Sequence, residues 1–584
     1  MGFGEKHVVQ PGTATRAGIG IGLGLLVLMI GATDTRGTVR LVRPDGTGDY
    51  PTIQLALDAS ASGDSVLLAD GVFTGAGNQD LNFRGRAVLL ASQSQSADAC
   101  VLDVQASPSS QHRGILCSSG EGAGTAVEDL TIMHGYTQVG SAVLMLATSP
   151  RFRRVVFAAN ATSASGAVYA LNGSPVFEEC VWRDNVSPTG SGGAVYLKFG
   201  GAPRFARCKF FDNHARFGGA AYLRESVSPT FERCVWVGNQ AYNGGALMGA
   251  LETHPVCIDN TFDGNRGGIG GAIHLGEDAD AEITRCELSR NEASRGAGLA
   301  CRNAAPLLTE CLLTENRASL FGGGVYADSG SAMQLVRCTL VTNDAAWDAG
   351  AIGVLDGGVT CDHCTLTGNA ASDTLAAGVS ARGAFATVAL RGTILAFGRA
   401  GCAVRCDDGA QVSLAGCDVF GNAGGDYVGC LAGLLGAAGN ISADPRFCNQ
   451  GGREFMLDES SPCAARVEIE FGVIGAWGVG CDLPDDRADV TDASDAAPIR
   501  LGPACPNPFR AATVIAYTLP AGVPADVRLE ILDCTGRCVR TLTGRGAIAW
   551  DGRDATGAPV AAGVYQARLR AGAHVASRPL LRIR

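Results

Sequence analysis

The chain has 584 residues, of which 18% are charged, with a formal net charge of −11 at pH 7, 81 Gly and 22 Cys. The negative balance argues against nucleic acid or an anionic membrane as the main partner, since both call for a basic surface. So many Gly with so few charges fit an extended, exported protein rich in tight turns.

At the N-terminus, Lys6 and Arg16 precede an apolar run of 16 residues from Ala17 to Ala32, closed by Thr33-Asp34-Thr35-Arg36. That length is short for a membrane span and suits the core of a signal peptide, with cleavage expected between 32 and 37. Residues 1–37 are therefore assigned to the signal, leaving no stable transmembrane segment after cleavage; an uncleaved anchor is the alternative. Then comes Val42-Arg43-Pro44-Asp45-Gly46-Thr47-Gly48-Asp49-Tyr50-Pro51-Thr52-Ile53-Gln54, a short amphipathic stretch from Leu55 to Ala59, and a strand from Ser65 to Ala69. An open solenoid end exposes unpaired strand edges, and a helix across it protects them. The phrase resembles the opening of pectin methylesterases and related β-helix proteins, where it leads into such a cap.

From Arg151 to Arg382 one phrase returns nine times. Its fixed Asn occupies Asn160, Asn185, Asn213, Asn239, Asn265, Asn291, Asn316, Asn343 and Asn369, in steps of 25 to 28 residues. Five places earlier stand Val155, Cys180, Cys208, Cys234, Asn260, Cys286, Cys311, Cys338 and Cys364, each followed two places on by Phe, Trp or Leu. An i, i+2 apolar pair marks a strand with one buried face. After Asn, a Gly turn feeds a second strand, as in Gly192-Gly193-Ala194-Val195-Tyr196-Leu197, and a third opens on Pro175, Pro203, Pro229 or Pro306, where no ladder donor is lost. Three short strands in about 26 residues predict an all-β fold, a right-handed parallel β-helix of about a dozen coils with equivalent residues stacked about 4.8 Å apart. The stacked Asn amides read as a structural hydrogen-bonded ladder. The repeat resembles those of chlamydial polymorphic outer-membrane proteins and, more broadly, the pectin-lyase-like superfamily, over residues 38–481.

Stacked cysteines are too far apart, with parallel Cβ vectors, for disulfides, so Cys180, Cys208, Cys234, Cys286, Cys311, Cys338 and Cys364 are expected to be reduced core residues. The off-column Cys402, Cys406, Cys430, Cys448, Cys463 and Cys481, and the pair Cys534 and Cys538, are the disulfide candidates.

The signatures of the resembled enzymes are not assembled: the Asn-Thr-Asp and Gly-His-Gly elements of polygalacturonases and the elements of pectin methylesterases are absent, so Asp407-Asp408, Asp485-Asp486 and Arg207-Cys208-Lys209 stand without the rest of the set. No catalytic residue is assigned. Cys361-x-x-Cys364 with His363 lacks the second half of a zinc site, so no metal centre is assigned there. Glu277, Asp278, Asp280 and Glu282 share one turn and form a Ca²⁺ candidate, read first as a solvated acidic loop. The column Tyr169, Tyr196, Tyr222, His274 and Tyr326, flanked by Lys198, Arg224 and Arg302, is expected to be exposed; it is read first as Tyr suiting an exposed β position, with a carbohydrate platform as the alternative. A second outward column just before Cys, from Arg154 to His363, reads as solvation and cross-coil charge pairing.

Toward the C-terminus the period loosens, with one further coil at Cys417 to Asn422 and a close near Cys481. Residues 482–500, with Asp485, Asp486, Asp489, Asp492 and Asp495, read as an acidic linker. From Leu501 to the end, Asn507-Pro508-Phe509, Trp550-Asp551-Gly552-Arg553 and Gly563-Val564-Tyr565 punctuate short alternating strands that suggest a small β-sandwich. This region, 501–584, resembles the Ig-like domain of flagellar hook-assembly proteins and the C-terminal sorting domains of exported bacterial proteins, which implies a partner in the export machinery. The expectation is an exported bacterial protein, extracellular or on the outer cell surface, acting without catalysis in adhesion or in binding a polysaccharide or cell-surface glycan. The alternative is a polysaccharide lyase or glycoside hydrolase with an unlocated acidic site. An autotransporter passenger is disfavoured, because nothing after Leu501 resembles a membrane barrel.

Overall fold

The computed structural model describes residues 37–449 apart from 373 and 374, then 454–464, 472–481 and most of 500–582. The signal-peptide assignment and the acidic linker lie outside the described residues, save for residues 37 and 500.

The strand pairing is that of a right-handed parallel β-solenoid. One sheet runs through 15 strands from Val39–Val42 to Gln411–Ala415, a second through 14 from Gly71–Phe73 to Asp418–Phe420, and a third through 13 from Leu81–Asn82 to Cys402–Asp407. Fifteen layers exceed the expected dozen, and at about 4.8 Å each they span roughly 70 Å. Register is carried without slip through the centre: Phe157 pairs with Trp182, Trp182 with Phe210, Phe210 with Trp236, and Trp236 with Phe262.

A fourth strand in the central coils corrects the expected three. Between Asn and the Gly turn, Tyr136–Val139, Ala161–Ser165, Val186–Ser191 and His214–Phe217 form a parallel sheet, resumed by Glu292–Arg295, Arg317–Phe321 and Asp344–Ala345 and joined by single bridges at Gln240, Asn243, Arg266 and Ile269. These segments carry almost no apolar alternation, because the corner beside the Asn ladder admits only small residues such as Ala293, Ala318 and Ala345.

The corners are single residues in the left-handed region. Arg154, Glu179, Arg207, Arg233, Asp259, Arg285, Glu310, Arg337 and His363 all have φ between 48 and 56° and hand the chain from the first sheet to the second. Their side chains point out and pair between coils, as in Arg154–Asp129, Arg285–Asp259 and Arg337–Glu310 at 2.5 to 2.7 Å.

At the next corner the Asn ladder is continuous. Each Nδ2 donates to the Oδ1 of the next Asn at 2.9 to 3.1 Å from Asn160 to Asn369. Each also donates to a backbone carbonyl of the preceding coil, as Asn213 does to Trp182 at 3.1 Å, so a fully buried amide is satisfied on both sides. The cysteines of the neighbouring column are buried and form no disulfide, Sγ donating to carbonyls as Cys338 does to Leu308 at 3.4 Å. Asn260 fills a polar place in that column, accepting from Cys234 N at 2.7 Å and donating to Phe231 O at 2.9 Å.

A six-residue helix, Ile53–Asp58, covers the first coil; Thr52 caps it through Leu55 N, and Ile53, Ala56 and Leu57 are buried. Two disulfides tie the far end, Cys406–Cys430 and Cys448–Cys481, four of the candidates. Cys402, Cys463 and Cys538 form no disulfide, against expectation. Cys402 Sγ lies 3.4 Å from Val404 O, and Cys463 Sγ donates instead to the buried Asp418 carboxylate at 3.2 Å. Cys534 lies outside the described residues. Beyond the last coil, the segment 472–481 folds back along the rod: Gly475 N donates to Gly392 O, Ala476 N to Thr365 Oγ1 and Trp477 Nε1 to Thr339 Oγ1, at 2.7 to 3.0 Å. Thr339 and Thr365 are register partners in successive coils, so this strap climbs the second sheet across the strands.

In the C-terminal region two antiparallel sheets form, Arg500–Cys505, Thr513–Thr518 and Ala547–Trp550 in one, and Cys538–Leu542, Val527–Leu532, Gly563–Ala571 and His574–Arg582 in the other. Both contribute to a single apolar cluster that includes Phe509, Ile515, Leu529, Trp550 and Tyr565. No helix among the described residues is long and apolar enough to cross a membrane.

Candidate functional site

The turn between the fourth and third sheets shapes one flank of the rod. Its first residue has positive φ, 54 to 68° at Gly166, Gly192, Gly218, Gly244, Gly270, Gly296 and Gly322. At the next position a Cβ on Gly193, Gly219 or Gly245 would come within 2.1 to 2.4 Å of the following coil's carbonyl oxygen, so glycine is required there on space alone. The turn sets the last residue of the fourth strand against the outward face of the third sheet five residues later. Phe217 meets Tyr222 with ring centroids 6.5 Å apart, and Phe321 meets Tyr326 at 6.3 Å.

Consequently the predicted aromatic platform is not exposed. Tyr196, Tyr222, His274 and Tyr326 keep only 6, 9, 9 and 3% of their surface, and Tyr169 is half-buried. Alternation placed these residues off the interior correctly, but the fourth strand folds over them. Tyr169 stacks on Tyr196 at 5.0 Å, Tyr196 meets Tyr222 at 5.3 Å, and Ala250, Phe217, Met248 and Leu251 close the group. Burial pushes the Tyr196 and Tyr326 hydroxyls up to about 12, and the His274 imidazole down to about 4, where Arg302 adds to burial and Asp328 opposes it. Lys198 and Arg224 are both committed to Glu225, at 3.4 and 3.0 Å.

Aromatic surface is exposed elsewhere, at Phe199 (50%), Tyr242 (67%) and Trp347 (50%). Trp347 stacks on Phe321 at 5.1 Å, and the Arg382 guanidinium lies 5.4 Å from the Phe321 ring. Arg295 sits 5.9 Å from both the Phe321 and the Tyr326 rings. Arg382 bridges two carboxylates, Asp348 at 2.9 Å and Asp407 at 3.5 Å, and Arg405 holds Asp407 at 2.7 Å. Every acceptor position of the buried Asp348 is engaged: Oδ1 accepts from Ala349 N and Ala376 N at 2.9 and 3.0 Å, and Oδ2 from Ser380 Oγ at 2.7 Å besides Arg382. Asp348 therefore positions Arg382 and offers no free lone pair to a reacting group.

Arg295, Phe321, Trp347, Arg382 and Arg405 were not singled out from sequence. The available signal was the position five before the Tyr column, which reads Phe217, Asn243, Ile269, Arg295 and Phe321.

The Ca²⁺ candidate does not assemble. Asp278 and Asp280 turn to the next coil, accepting from Asn303 Nδ2 at 3.1 Å and Ala305 N at 2.6 Å, and Glu277 and Glu282 are exposed. Among the described residues, no three His, Cys, Asp or Glu side chains converge as metal ligands. On the first sheet, where the strands lengthen to five residues, a trough of about 680 Å³ is lined by Gln334, Thr360, Thr387, Gln411 and Ser413, all uncharged.

Fold and register define the class, a parallel β-solenoid. No family model, curated protein or solved structure matches the chain, so this class rests on the coil geometry alone.

Proposed function

We propose that this is an exported bacterial protein, extracellular or held at the outer surface, that binds polysaccharide on the flank of its solenoid without catalysis. One observation carries the reading: Trp347 is half exposed and stacked on Phe321, with Arg382 held beside the same ring and Arg295 over its other neighbour. A flat aromatic face with donors fixed at its edge suits a pyranose ring, whose C–H face stacks while its hydroxyls take hydrogen bonds. Tyr242 is a second exposed ring on the same flank, four coils earlier.

The lyase or hydrolase alternative has one observation in its favour, the pair Asp348 and Asp407 about a shared Arg382. Its weakness is that Asp348 is saturated with donors, whereas acid–base catalysis needs a carboxyl able to exchange a proton with substrate. The C-terminal sheets, with one shared core around Trp550, are read as an Ig-like module for sorting or anchoring. A glycan array run with a parallel uronate-lyase assay tests both readings. Retention of a glycan that falls in Trp347→Ala, with no unsaturated product, is expected; turnover abolished by Asp407→Asn would establish the enzyme instead.

A further inference from the structure

We infer that Tyr242 and Trp347 are the two ends of one extended site, which takes an unbranched oligosaccharide lying parallel to the rod axis and reaching both rings. This rests on the flank-binding reading above and names the length and course of its ligand.

The two residues hold the same place in the coil. Tyr242 immediately precedes Asn243 and Trp347 immediately precedes Asp348, and those followers lie on one line of parallel bridges, from Asn243 to Ile269, Arg295, Phe321 and Asp348. The residues just before them form the adjoining column, Tyr242, Gly268, Ser294, Leu320 and Trp347. Backbone bonds tie it from coil to coil: Gly268 N donates to Tyr242 O at 2.6 Å, Ser294 N to Gly268 O at 2.9 Å and Asp348 N to Leu320 O at 2.9 Å. Four coil spacings therefore separate the rings, about 19 Å.

Each ring has protein on one side and solvent on the other. An added Cβ at Gly268 would stand 3.8 Å from Tyr242 Cδ2, and Trp347 stacks on Phe321 at 5.1 Å, yet the two keep 67 and 50% of their surface. Gly268, Ser294 and Leu320 are half-buried, so nothing in the column between the rings stands as exposed as either of them. Two residues earlier on the same strands, the exposed Arg266 and Glu292 put a donor and an acceptor beside this path, paired with each other at 3.1 Å. An extended pyranose chain advances by close to one coil spacing per sugar, so a tetramer or pentamer stacks on both rings while its hydroxyls meet the polar groups between them. A peptide strand is a poorer occupant, because the backbone donors and acceptors here are already spent on the neighbouring coils.

The test is calorimetric titration of the full chain with cello-, chito- and galacturonate oligosaccharides, each from dimer to hexamer. In at least one series affinity should rise by about tenfold between dimer and pentamer and level off beyond, because only a chain that reaches both rings gains the second stacking face. Tyr242→Ala should remove that rise and leave dimer binding unchanged, Tyr242→Phe should retain it, and Trp347→Ala should weaken every length. Affinity independent of length, a rise that survives Tyr242→Ala, or a Tyr242→Ala loss equal at all lengths overturns the shared site, while a loss in Trp347→Ala would keep the broader reading. No binding by any of the three series also overturns it, and the glycan array then decides the broader reading separately.

Discussion

The two halves of the rod share a backbone and differ in what fills it. From Phe152 to Phe262 the interior is a double stack of rings, with Phe210 and Trp236 only 3.9 Å apart and Trp236 and Phe262 at 5.4 Å. From Leu288 onward the same register carries Leu313, Leu340, Leu366 and Leu395, with no ring among them. Yet the Asn pairs measure 3.0 Å at Asn213 to Asn239 and 2.9 Å at Asn316 to Asn343. The coil path is thus set by the polar ladder and the left-handed corners, while the filling varies within the volume they enclose.

That contrast can be broken most forcefully in the aromatic half. Trp236→Ala removes a ring sandwiched between two others and should cost about 3–5 kcal/mol, read as a fall in the urea midpoint. A loss below about 1 kcal/mol would mean the stack is not the core it resembles. Asn316→Leu strands Asn291 N and Nδ2, which donate to its Oδ1 at 3.0 and 2.9 Å, as well as Leu288 O. It should cost about 3 kcal/mol, and Asn213→Leu should cost the same despite its different neighbours. Unequal losses would tie the ladder to its filling.

A pH titration sharpens the comparison at the border of the halves. The His274 value of about 4 in the fold lies below the ordinary 6.5, so the unfolded chain takes up a proton first as pH falls. Stability is therefore full above pH 6.5 and declines between 6.5 and 4, by up to about 3 kcal/mol, a slope that His274→Gln should flatten. The smallest effect belongs to the outward pairs: Arg337→Gln, opposite Glu310 and half exposed, should change stability by less than about 1 kcal/mol.

Period, strand type, the Asn ladder and the reduced Cys column were legible because each repeats one residue type at one spacing. The fourth strand was not, since Ala161 to Ser165 and Val186 to Ser191 show neither alternation nor bulk. The same omission turned the Tyr196 and Tyr222 column outward into solvent, because alternation tells which residues leave the core and not what lies over them. The flank residues escaped notice for another reason: at one structural position the chain writes Phe217, Asn243, Ile269, Arg295 and Phe321, and chemistry that changes at each turn leaves no period to detect.

The Cys448–Cys481 bond encloses the strap and everything between its two ends in a covalent loop. A pull exerted from beyond residue 481 would pass from Cys481 straight to Cys448, leaving Trp477 and the loop unloaded. Drag on a tethered rod would then be borne by sulfur rather than by the hydrogen bonds that lay the strap in place.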